Sequence, residues 1–133
     1  MVPATYAVVV DYELGADPGD VLHFVIGTAF AIDSRRLATN AHIVEGILDS
    51  PFPVANVVAV QAGTGVVVEL THAARHPDYD GNPLESPDVG VLTTAQNLRE
   101  FLTLADDDTD LALGDELALT GFPGDVAELF DLL

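Results

Sequence analysis

Cysteine is absent from the 133 residues, lysine is absent too, and the only strongly basic side chains are four arginines. Without a thiol there is no disulfide, no cysteine nucleophile and no thiolate-bound zinc, although the compartment is not legible from that absence. The shortage of cations is set against 22 acidic residues, for a formal net charge of −18. A surface of that sign repels phosphate backbones and excludes nucleic acid as a partner. Long hydrophobic runs are missing as well. Stretches such as "VANVVAV" are strand-sized, far short of the roughly 18 apolar residues that read as a membrane-spanning helix. The N-terminus, "MVPATYAVVVDYE", lacks the basic flank of a secretory leader.

What is present suits one sizeable core, since 49% of the residues are hydrophobic. The acids gather in stretches such as "DYELGADPGD" and "DDDTD", which read as solvated loops. Their mutual repulsion is screened by salt, so a salt-adapted source fits the composition. Asp106, Asp108 and Asp110 alternate as in a calcium loop, but Leu111 stands where the turn needs glycine and Leu117 where the last ligand belongs.

Short strands separated by turn signals dominate the pattern. "ATYAVVVDY", "VLHFVIGTAFAI", "RRLATN", "VANVVAV", "GVVVELTHAARH" and "DVGVLTT" make six strand candidates, spaced as in an all-β barrel or sandwich. Gly27, inside the second run, marks a bulge or bend. "AHIVEGIL" and "AQNLREFL" are long enough for short helical turns, and "DVAELFDLL" has helical spacing. The expected organisation is a first barrel over 1–95, an acidic linker over 96–114, and a lone strand with a short helix over 115–133.

Chemistry concentrates on the histidine in "GTAFAIDSRRLATNAHIVEG", His42, at a polar turn directly after a strand. A neutral imidazole titrates nearest neutral pH and can take a hydroxyl proton and return it. The other histidines read differently. His23 alternates within an apolar strand as a core or edge residue. His72 and His76, with Asp78 and Asp80 nearby, would lie about 13 Å apart on one strand face, too far for a shared metal ion.

Four segments, in order, resemble the trypsin-like serine peptidases, particularly the bacterial high-temperature-requirement type. They are the "GTAF…TNAHIV" segment, "HPDY" at His76–Tyr79, "DVGVL" at Asp88–Leu92, and "LGDELALTGFPG". The resemblance implies a six-stranded antiparallel closed barrel, the first half of a double barrel, with short helical turns. It implies that His42 is general base and then acid, that Asp88 orients the imidazole, and that the substrate is a peptide or protein with no cofactor. It leans to an extracytoplasmic setting.

The resemblance also has gaps. The family takes its nucleophile and oxyanion hole from a G-x-S-G-G-P segment of the second barrel, and no such segment occurs here. Ser34, Ser50 and Ser86 lack the flanking glycines whose N–H groups would hold an oxyanion. The chain alone is therefore expected to be inactive, with a missing C-terminal barrel as partner. Ala29 and Gly90 stand where glycine and alanine are usual; both are small enough for close packing. A noncatalytic barrel that binds a peptide or protein is the alternative, and an unrelated all-β barrel is a third reading.

Overall fold

All six expected strands form: β1 (Thr5–Glu13), β2 (Val21–Ala31), β3 (Arg36–Thr39), β4 (Val54–Gln61), β5 (Val67–Arg75) and β6 (Gly90–Thr94). The computed structural model describes residues 3–13, 15, 20–105, 112–116, 120 and 121. The strands close into an antiparallel barrel in the order β1-β2-β3-β6-β5-β4. Closure gives every strand two neighbours, although β2 meets β3 only at Phe30 and Ala31. Among the described residues there is one helix, α1 (Ala41–Leu48), between β3 and β4 in the sequence.

The core is small-residue-rich, as a six-stranded barrel requires. Val8, Leu37, Val44 and Leu92 are fully buried among Ala29, Ala31, Ala59 and Val68. Each large aliphatic among them stabilises the fold by about 1.5–3 kcal/mol relative to its exposed state.

Pairing passes from Val8 with Gly27 to Val9 with Val25, so Ile26 is an extra residue on β2. The bulge therefore lies beside Gly27. At Gly27 itself a Cβ would stand 2.5 Å from Ile43 Cδ1 of α1, so the Ile43 side chain would have to turn aside. The same crowding recurs at Gly90, where a Cβ would meet Val44 Cγ2 at 2.6 Å and the carbonyl oxygens of Asn40 and Ala74 at 3.1 and 3.2 Å. Glycine there is small enough for the close packing of α1 on β6, as expected, whereas an added methyl group would require Val44 to shift.

The segment "AQNLREFL" is not helical. Its N–H groups go sideways to the barrel instead of to carbonyls four residues back. Ala95 donates to Glu69 O, Leu98 to Ser34 O and Leu102 to Ala31 O, at 2.7–2.9 Å. Leu98 is buried as a result. The expected strand in "DELALTGFPG", the "DDDTD" run and the helical "DVAELFDLL" lie outside the described residues, apart from Asp115, Glu116, Thr120 and Gly121. Thr120 Oγ1 is 3.4 Å from Thr5 Oγ1, which donates to it.

Candidate active site

The site is assembled where β3 hands over to α1. Thr39 Oγ1 donates to Thr28 O at 2.8 Å, pinning the end of β3 to β2. Asn40 then takes an extended conformation (φ −91°, ψ 149°) and opens the helix without a side-chain cap of its own. Its carbonyl accepts the N–H groups of Ile43 and Val44 at 3.2 and 3.3 Å. His42 is the second residue of α1, one of the positions whose backbone N–H has no partner within the helix.

That partner comes from Asp88, 46 positions away. Asp88 Oδ1 accepts the His42 backbone N–H at 2.8 Å, and Oδ2 lies 2.6 Å from ring Nδ1. One carboxylate thus caps the helix and orients the ring. An ionised carboxylate only accepts, so Nδ1 carries the proton, and in the neutral form of the ring Nε2 is left with a lone pair. The ring is 48% exposed, the carboxylate 16%. Among the described residues no side chain hydrogen-bonds Nε2.

Asn40 completes the bracket: its Nδ2 donates to Asp88 O at 3.1 Å. The approach to Asp88 is ordered by a second knot, in which Asp80 Oδ1 accepts from Asn82 N–H and from Ser86 Oγ, both at 2.8 Å. The Asn82 N–H and the Ser86 hydroxyl hold the Asp80 carboxyl below its usual range.

Desolvation pushes the Asp88 carboxyl upward, yet the His42 backbone and ring N–H groups, the His42 charge and the Ala41 N–H together outweigh it and lower the pKa. Asp88 is therefore ionised through the neutral range. Tyr79, from "HPDY", has a buried hydroxyl without a hydrogen-bond partner among the described residues. Desolvation first, then the charges of Glu45 and Asp88, raise its pKa.

The structure brings His42 and Asp88 together and leaves the other candidates apart. Of its two expected places His23 takes the edge: it is exposed on a stretch of β2 that pairs only with β1, and its Nδ1 pairs with Asp11 Oδ1. His72 Nδ1 contacts Thr71 Oγ1 at 3.0 Å, whereas His76 Nδ1 accepts the Asp78 N–H at 3.1 Å. Among the described residues no three potential metal ligands cluster. Ser50 Oγ is engaged with Phe52 O and Ser86 Oγ with Asp80, and neither bonds His42. Sequence reading missed Asn40 and the unpartnered Tyr79 hydroxyl. The N-cap position of Asn40 in "TNAH" was a usable signal; nothing in the sequence marks the Tyr79 hydroxyl as buried.

Against this geometry, a family model for the trypsin-like peptidase domain matches residues 27–131. The chain belongs to that family. A solved structure described as "Structure of GrC" superposes with a TM-score of 0.51 at 16% sequence identity, covering 86% of this chain and 51% of its own. At that identity the likeness is one of fold. This trypsin-like chain spans about half the length of that structure. No curated protein matches the sequence.

Proposed function

We propose that this trypsin-like chain supplies the proton-transfer half of a serine endopeptidase, of the bacterial high-temperature-requirement type. The reading is carried by one observation: Asp88 Oδ2 lies 2.6 Å from His42 Nδ1, with Nε2 unbonded among the described residues and the ring half exposed. In catalysis Nε2 takes the proton of a seryl hydroxyl as that oxygen attacks the scissile carbonyl. The imidazolium so formed is stabilised by Asp88 and returns the proton to the leaving amine. Water then repeats the cycle on the acyl-enzyme.

The seryl hydroxyl and the oxyanion donors have no counterpart among Ser34, Ser50 and Ser86. A second barrel would provide them. Support for its docking side comes from Phe30, Phe101, Leu102 and Leu104, which are exposed, and from the Leu102 N–H that bonds Ala31 O beside Phe30. Thr120 lies against Thr5, which pairs with Phe30.

The 133-residue polypeptide is expected to turn over no peptide by itself. A fluorophosphonate probe that labelled it stoichiometrically would refute this. Adding a polypeptide that carries the G-x-S-G-G segment of a second barrel should restore labelling, and substitution His42→Ala should abolish it. Restored binding of peptide without labelling would favour the noncatalytic barrel, whose support is the lack of a glycine-flanked serine.

A further inference from the structure

Asn40 opens α1, yet its side chain does not do what that position ordinarily asks of an asparagine. The usual arrangement turns the side-chain oxygen onto a free N–H of the first helical turn. Among the described residues Asn40 makes no such bond. The N–H groups are satisfied by other means: Asp88 Oδ1 accepts that of His42 at 2.8 Å, and the Asn40 carbonyl accepts those of Ile43 and Val44. Released from capping, the amide reaches the segment that enters β6, where Nδ2 donates to Asp88 O at 3.1 Å. A carbonyl oxygen only accepts, so the NH2 end must face it.

The strand register shows what this contact replaces. β3 and β6 are paired from Arg36 with Thr93 to Thr39 with Gly90. Past Thr39 the chain turns into α1 and the ladder stops. The Asn40 side chain spans the gap that the missing rung leaves. On the other flank, Val89 O accepts the His76 N–H at 2.8 Å. Immediately before Asp88 stands Pro87, which has no N–H with which to anchor the chain. The Asp88 carbonyl is therefore the backbone group through which β3 can fix this residue.

Fixing it matters because the carboxylate serves two donors of one residue, the His42 backbone N–H at 2.8 Å and ring Nδ1 at 2.6 Å. The carboxylate is planar, and hydrogen bonds weaken steeply as their angles close. Both contacts are good only over a narrow range of Asp88 placements.

We propose that Asn40 is a positioning residue: by holding the Asp88 carbonyl, its amide sets the carboxylate so that Oδ2 meets ring Nδ1 while Oδ1 keeps the His42 N–H. The role rests on His42 and Asp88 being a proton-transfer pair, and Asn40 acts on the ring only through Asp88. Asn40 is exposed, so water competes for its amide and the expected effect is modest.

The test compares the 133-residue wild type with Asn40→Ser. Serine opens helices as well as asparagine does, but its hydroxyl is a bond short of the position that Nδ2 occupies. In the wild type, a scalar coupling should connect Asn40 Nδ2 with the Asp88 carbonyl carbon. Nitrogen-15 shifts of the His42 ring should report the Nδ1–H tautomer in roughly tenfold excess. In Asn40→Ser that excess should fall by about threefold, as the loss of one net hydrogen bond implies, while the urea midpoint stays close to that of the wild type. Absence of the coupling, or an undiminished excess in the folded variant, would overturn the proposal. So would a variant that unfolds, or that loses the excess only in step with its stability, since either makes Asn40 a staple of the strand ends. A wild type without any tautomer excess would sink the pairing of His42 with Asp88 as well; an excess that survives Asn40→Ser sinks the positioning role alone.

Discussion

Replacing Asp88 by asparagine tests the geometry at its centre, because the two oxygens of the carboxylate face two donors. Oδ1 meets the His42 backbone N–H at 2.8 Å and Oδ2 meets ring Nδ1 at 2.6 Å. An amide has one acceptor. Its oxygen will stay on the backbone N–H, which cannot change its proton, and its NH2 will face Nδ1, which can. The ring proton then moves to Nε2, and the atom that should accept a hydroxyl proton becomes a donor.

A hydrogen bond to a charged group contributes about 1.5–3 kcal/mol, and the half-exposed ring places this one at about the lower end. The wild type should therefore hold the Nδ1–H tautomer by roughly tenfold, and Asp88→Asn should reverse the preference. Nitrogen-15 shifts of the His42 ring report this directly. The substitution also removes a negative charge from the α1 N-terminus, for about 0.3–1 kcal/mol. Because the folded-state pKa of Asp88 is lowered, its contribution is complete above the unfolded value of about 3.9 and is lost as pH falls through the folded value. Urea denaturation should show wild type above variant at neutral pH and the gap closing in acid. An unchanged tautomer, or a gap that persists once Asp88 is protonated, would refute the assignment.

Gly90→Ala should cost about 1–3 kcal/mol in urea denaturation, because two of the three atoms crowding its Cβ are backbone carbonyl oxygens of Asn40 and Ala74; full tolerance would contradict the close approach of α1 to β6. Tyr79→Phe removes a buried hydroxyl with no partner among the described residues and should leave Tm unchanged or raise it by a few degrees, so a clear fall would mean that the hydroxyl is bonded. With a net charge of −18, Tm should rise between low and molar salt as the screening length shrinks from about 10 Å at 0.1 M to about 3 Å at 1 M. A flat or falling profile would show that self-repulsion is not a significant load on the fold.

Strand positions were legible because β-branched alternation and turn residues are local signals, and all six candidates form within a few residues of their expected ends. His42 and Asp88 were legible through the resemblance of their flanking segments. The segment 95–102 was misread for a physical reason. Its composition permits a helical turn, but the barrel offers carbonyls at Glu69, Ser34 and Ala31 that capture its N–H groups. His23 was left between core and edge because alternation within a strand does not say which face the barrel turns inward; the structure puts it on a stretch of β2 paired only with β1.

The sequence by itself determined the sheet class, the acidic surface, and the absence of a glycine-flanked serine, since each depends on residue types within a short window. Only the tertiary structure decided that Asp88 both caps α1 and holds the His42 ring, that Asn40 ties the two segments together, and that Gly90 has no room for a methyl group. Those are contacts between residues far apart in the chain, and their distances exist only once the barrel has closed.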